Sequence, residues 1–213
     1  MKRLVVYTAV FGGRDPIKFP PEDRDFDFFA FTDSPVAGPG VIQIPPPVQW
    51  SLVRSARNVK ILPEKFLKGY RYSLWIDGSI MLQTGSLDWW IDRYLSRDTP
   101  LATFQHPLRT CLYQEASVCL SSRLGEPDLV IGQAAAYRAA GLPEGTGLAE
   151  TGVMLRDHEG VREFSEVWWS EFQAGSCRDQ ISFPFAAWKT GLRWAGLEES
   201  IRQNSHFQLM PHN

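Results

Sequence analysis

The run Leu74-Trp75-Ile76-Asp77-Gly78-Ser79-Ile80-Met81-Leu82 sets one carboxylate, one glycine and one hydroxyl inside an otherwise apolar stretch. A strand that buries its side chains has no use for a lone acid, so Asp77 marks the strand's exit. A carboxylate there stays hydrated. Gly78 lets another group approach the backbone, and Ser79 adds a neutral oxygen. Such oxygen donors suit Mg2+ or Mn2+, which take few protein ligands and complete their shell with phosphate and water. The plainer alternative is a turn carrying an aspartate cap.

Upstream, Arg54, Arg57 and Lys60 fall at three-residue steps. On a helix they fan over roughly 120° of its surface, a spread that could meet a diphosphate or simply face water. Arg14 and Asp33 follow two other apolar runs. A carboxylate so placed could accept from a base N–H or a ribose hydroxyl. His106, Arg109, Tyr113 and Glu115 form a further polar group. It could orient an acceptor hydroxyl, or only stabilise a helix N-terminus through a local ion pair.

These groups need a scaffold. Residues 3–11, 26–33, 41–44, 70–76, 101–104 and 150–156 read as strands. Helical patterns cover 51–67, 86–95, 111–124, 127–140, 158–174 and 178–189. Ser51 is the expected cap of the first helix, Pro63 should kink or end it, and Leu52, Ala56, Val59 and Phe66 should share its apolar face. The tail, 206–213, reads as a strand or a loop. Strands alternating with helices predict an α/β architecture with a mainly parallel sheet flanked by helices, and ligands at the strands' carboxyl ends. The 213 residues are expected to form one domain, 1–213, around one core.

Composition excludes some classes. A net charge of −2 offers no bulk attraction to nucleic acid or an anionic membrane, so any anion must be met by local arginine and lysine. Cys111, Cys119 and Cys177 lack metal-ligand spacing and are expected as free thiols in a reducing compartment. No apolar run approaches the ~20 residues of a membrane-crossing helix, so a soluble, cytoplasmic protein is expected. A G-x-S-x-G elbow and an H-E-x-x-H pair are both missing, which argues against serine and zinc hydrolases.

The segments YTAVFGGRD, FTD, SARNVKILPEKFL, YSLWIDGSI, FQHPLRTCLYQEA, ETGVMLR and CRDQISF occur in that order, spanning roughly residues 4–185. Together they resemble a glycosyltransferase-like family known from plant mucilage and turgor-related proteins, and more distantly glycosyltransferase family 8. The resemblance implies a GT-A fold, a Rossmann-like domain that binds a nucleotide-sugar donor, a UDP-sugar first of all, with Mn2+ or Mg2+.

In that likeness Asp77 matches the first acid of an Asp-x-Asp motif, and Ser79 replaces the second. His212, or failing it His206, would complete the metal site. Thr8, Arg14 and Asp33 would hold the nucleotide; Arg54, Arg57, Lys60 and Gly78 would lie beside the donor. Glu150, Thr151 and Gly152 would face the sugar, with Asp179 and Gln180 near the reacting carbon. His106, Arg109 and Tyr113 would serve the acceptor. An inverting reaction would draw its base from Asp179, Glu150 or Glu115, in that order; the family 8 likeness leans toward retention. The expected acceptor is a saccharide, a lipid-linked sugar or a small molecule, ahead of nucleic acid. The rival readings are a non-catalytic nucleotide-sugar binding protein and a hydrolase of lipid or sugar.

Overall fold

The computed structural model describes residues 4–13, 15–47 and 49–211. In chain order the strands are β1 (Leu4–Val10), β2 (Asp27–Thr32), β3 (Val41–Gln43), β4 (Tyr72–Ile76), β5 (Ile80–Leu82), β6 (Leu101–Gln105), β7 (Ala149–Asp157), β8 (Trp194–Gly196) and β9 (Phe207–Leu209). The helices are α1 (Leu52–Ile61), α2 (Pro63–Phe66), α3 (Trp89–Tyr94), α4 (Leu112–Ser121), α5 (Pro127–Ala139), α6 (His158–Ala174) and α7 (Asp179–Thr190).

Seven strands make the central sheet in the order β3-β2-β1-β4-β7-β6-β8. β1, β2, β3 and β4 run parallel; β7 runs against both β4 and β6, and β8 follows β6. The mainly parallel sheet expected from sequence is therefore present, with β7 as its reversed member. The order turns back between β1 and β4. At such a switch point the connections diverge and leave a crevice beyond the strands' carboxyl ends.

Period-two alternation divides the core. Val5, Tyr7 and Ala9 of β1 pack with Trp75, Met154, Phe164, Trp168 and Phe183 on one face of the sheet. Leu4 and Val6 pack on the other, with Leu74, Val153, Leu155, Trp90 and Phe207. A smaller cluster holds α4, α5 and α7 together through Leu112, Val130, Tyr137 and Ile181.

Ser51 caps α1, its hydroxyl accepting from Arg54 N at 3.3 Å. Pro63 has no N–H to continue the helix, so α1 stops and a new turn opens with Pro63 in its first positions. Leu52 departs from expectation: 44% exposed, it faces the crevice and not the core. Three elements differ from the sequence reading. The 86–95 helix shortens to α3, and β5 and β8, three residues each, are strands only through pairing with a distant partner. β5 pairs antiparallel with β9, Ile80 opposite Leu209 and Leu82 opposite Phe207, which resolves the tail as a strand. No helix among the described residues is long and apolar enough to cross a membrane.

Candidate active site

The crevice between β1 and β4 opens into a cleft of about 980 Å³, bordered by Ala9–Gly12, the first turn of α1, Arg57, the Trp75–Ser79 strand exit, Leu124, Gly125, Cys177 and Arg178. Asp77 stands at its floor. Its amide donates to Gly152 O at 2.8 Å, tying the end of β4 to β7. Gly78 is closely packed: a Cβ there would lie 2.9 Å from Val10 Cγ2, so the valine would have to shift. Lys18 Nζ holds the Gly78 carbonyl.

Asp77 is not a bare carboxylate. Trp75 Nε1 donates to its Oδ1 at 2.7 Å. Lys60 Nζ lies 3.3 Å from the same oxygen, and an Arg57 nitrogen 3.8 Å. Trp75 and Asp77 share a face because side chains two apart in a strand point the same way. That spacing is the sequence signal that could have revealed the indole's role.

Beneath Asp77 lies a second acid. Asp179 Oδ2 receives Lys60 Nζ at 2.6 Å and the Thr151 hydroxyl at 3.0 Å, and Arg57 Nε is 3.2 Å away. Trp168 Nε1 donates to the Asp179 carbonyl at 3.2 Å and so fixes the start of α7. Burial by itself would raise the Asp179 pKa. Arg57 and Lys60 outweigh it and hold the carboxyl well below the usual range.

The helix that carries Arg54, Arg57 and Lys60 distributes them differently from expectation. Arg54 turns away from the cleft and caps the end of α6, donating to the carbonyls of Phe172, Gln173 and Gly175 at 3.0, 3.1 and 3.0 Å. Lys60 is 0% exposed and is consumed by Asp77, Asp179 and the Thr151 hydroxyl, 3.1 Å away, so it cannot reach a bound diphosphate directly. Arg57 alone of the three borders the cleft.

The second polar group gathers as expected, but around a buried centre. Glu115 is 1% exposed; its Oε2 accepts from Arg109 Nε at 2.6 Å, and its Oε1 lies 3.4 Å from Arg178. Arg109 also reaches His106 Nε2 at 2.7 Å. Burial first, then Arg109, lowers the His106 pKa, leaving the ring neutral at pH 7. Buried and held by two guanidinium groups, Glu115 is placed as a structural counter-ion, which argues against its service as a base. Tyr113 is likewise engaged, donating to Leu142 O at 2.9 Å beneath the Arg138 guanidinium.

Other expected site residues lie elsewhere or play structural parts. Thr8 is buried on the sheet face opposite α1, and its hydroxyl has no hydrogen-bond partner. Asp33 Oδ1 accepts from Gly12 N at 2.8 Å, binding two strand exits to each other. Gln180 donates to Ala149 O at 3.1 Å and accepts from Arg178 at 3.2 Å. His206 packs against the rings of Trp89, Trp90 and Phe207, at the far end of β9 from Ser79, whose carbonyl accepts from Met210 N. Its ring therefore does not join Asp77. Arg14 and His212 lie outside the described residues. Glu150 and Gly152 do come to the strand edge. Glu150 Oε1 accepts from Arg202 at 2.7 Å, its Oε2 has no partner, and a Cβ on Gly152 would be 3.6 Å from Asp77 Oδ2. Sequence reasoning missed Arg178, whose one signal was its place beside Asp179.

Among the described residues the donor set does not fit a divalent cation; His212, expected to complete it, lies outside them. Asp77 gives one carboxylate already facing an indole N–H and two cations, and Ser79 gives only a neutral oxygen. Among the described residues no group of three or more His, Cys, Asp or Glu side chains could hold a metal.

The reversed strand in a mainly parallel sheet, with the cleft at the switch point, is an α/β arrangement of the GT-A type. Residues 50–204 match the family described as TOD1/MUCI70, glycosyltransferase-like domain, and the chain belongs to that family. No curated protein sequence matches the chain. Among solved structures, the apo bifunctional glycosyltransferase WbbM superposes with a TM-score of 0.55 at 8% identity, over 92% of this chain and 38% of that one. The chain thus spans well under half of WbbM. Mouse xyloside xylosyltransferase 1 in its apo form gives 0.48 at 10% identity, over 92% and 84% of the two chains. The galactosyltransferase LgtC with donor and acceptor sugar analogues gives 0.44 at 10%, over 85% and 70%.

Proposed function

We propose that this chain, acting as one domain, transfers a glycosyl group from a nucleoside-diphosphate sugar, a UDP-sugar first of all, to an acceptor hydroxyl. The observation that carries this reading is the cleft at the β1/β4 switch point, where Arg57 and Arg178 flank the strand exit at Asp77. The family match supports the same reaction class.

In such a transfer the bond from the anomeric carbon to the β-phosphate oxygen breaks, and a bond to the acceptor oxygen forms. Negative charge grows on the departing diphosphate as the sugar gains positive character. Preorganised cations at the cleft stabilise that charge without reorganising. Because Mg2+ or Mn2+ does not fit the donor set of the described residues, no step is assigned to it.

The acceptor proton needs a destination. Asp179 is a poor base, since Arg57 and Lys60 hold its carboxyl ionised far below neutrality. Glu150, at the strand edge with its Oε2 buried and unpartnered, is proposed in its place as the base for an inverting reaction. In a retaining reaction the departing phosphate itself would take the proton. His106 and Arg109, beside Glu150 on the strand edge, are proposed to face the acceptor, a saccharide before a lipid-linked sugar or small molecule, and these before nucleic acid.

A thermal-shift screen of nucleoside diphosphates and nucleotide sugars tests the reading. A ligand that binds only the native protein must raise its melting temperature. UDP or another nucleoside diphosphate should raise Tm, and the parent nucleoside should do so less. Silence across the whole panel would remove the transferase reading and bring the hydrolase forward.

A further inference from the structure

We infer that the leaving diphosphate is neutralised by the guanidinium groups of Arg57 and Arg178, with no divalent cation bridging Asp77 to the phosphates. This rests on the transferase reading and names what does the electrostatic work at its centre.

One oxygen of the carboxylate expected to anchor a cation is already compensated, which leaves Oδ2 alone to face the cleft. Its Oδ1 faces Trp75 Nε1 at 2.7 Å, Lys60 Nζ at 3.3 Å and Arg57 at 3.8 Å. Hard cations bind oxygens whose charge is not already compensated, and Mg2+ in particular demands an ordered octahedral shell. A dication at Asp77 would sit beside an ammonium that is wholly buried and unable to swing away. The acids at this site serve the protein's own cations.

The two arginines are differently placed. Arg178 Nε is buried without a hydrogen-bond partner, while its terminal nitrogen is held by Glu115 at 3.4 Å and Gln180 at 3.2 Å. The side chain is thereby oriented but not saturated. Gly125 closes over it: a Cβ at that position would stand 3.0 Å from Arg178 Cγ. Arg57 Nε lies 3.2 Å from Asp179 Oδ2, yet it is not aligned to donate a hydrogen bond there. Both side chains border the cleft. A guanidinium has five donors in a planar fork that matches phosphate oxygens in pairs; with each Nε buried, it is the terminal nitrogens that remain for an anion. Asp179 keeps Arg57 charged and in place, and Glu115 does the same for Arg178. Their paired carboxylates make two neighbouring guanidinium groups tolerable before the anion arrives.

Isothermal titration of UDP, GDP and ADP into the full chain, in EDTA and again in Mn2+, tests this directly. At least one of the three should bind in EDTA, and Mn2+ should change its affinity by less than about threefold, under 1 kcal/mol. Arg178→Ala should weaken that diphosphate by at least roughly tenfold, with Arg178→Lys falling between, because a point charge replaces part of the fork. Binding that appears only with Mn2+ overturns the inference and leaves the transferase reading standing. Full affinity in Arg178→Ala also overturns it. If none of the three binds in either buffer, the inference and the transferase reading fall together. The wild-type comparison stands even where a variant fails to fold.

Discussion

Lys60 and Asp179, 119 positions apart in the chain, meet at 2.6 Å between Nζ and Oδ2. Asp77 closes the other side of the same ammonium at 3.3 Å. One buried cation thus joins α1, the exit of β4 and the start of α7, and the cleft is built around that junction.

Removing this cation should be costly. Lys60→Met leaves Asp179 buried with one partner fewer, and breaking a buried pair typically costs about 3–5 kcal/mol. Urea denaturation should show a loss of that order. In the double variant with Asp179→Asn, much of it should return. Simple addition of the two single losses would mean the pair is not coupled.

The Asp179 carboxyl should leave a mark on acid stability. Its native pKa lies below the unfolded value of about 3.9, so the unfolded chain binds the extra proton. The stabilisation is complete above that value and fades as pH falls beneath it. Denaturation midpoints measured from pH 5 downward should fall less steeply in Asp179→Asn than in the wild type.

A separate effect belongs at higher pH. Burial, reinforced by Arg156, lowers the His158 pKa to about 4, and the ring bonds Ser73 Oγ at 2.7 Å. The native ring is neutral where the unfolded one, at about 6.5, takes a proton, so its stabilisation is complete above 6.5 and is lost as pH falls toward 4. Between pH 7 and pH 5 this should cost about 2 kcal/mol. His158→Gln should flatten stability across that window. An unchanged slope would assign the acid sensitivity to another group.

Arg54 provides a control for the site. It holds three carbonyls at the end of α6, and hydrogen bonds to charged groups contribute about 1.5–3 kcal/mol. Arg54→Ala should lower the unfolding free energy, read from urea denaturation, by an amount in that range. Nucleotide affinity of the folded fraction should stay near wild type. A selective loss of affinity would return Arg54 to the donor site.

Much of the architecture could be read from the chain. Helix α6 was delimited to its end residues, because its apolar positions recur at helical spacing between Asp157 and Gly175. The Pro63 break and the Ser51 cap were equally legible, each being a local property of one residue's chemistry. Strands β5 and β8 were not legible, since each is a strand only through its pairing with a distant partner, β9 and β6.

Local chemistry along the chain was enough to put acids and cations at strand exits and helix starts. Periodicity and turn chemistry act over a few residues, and they are written locally. Which acid each cation would meet was decided only by tertiary structure. Arg54, Arg57 and Lys60 look equivalent along one helix, yet one caps α6, one borders the cleft and one is buried beneath it. The reason is geometric: a helix turns its neighbours toward different elements, and only the packed sheet sets what stands opposite each of them.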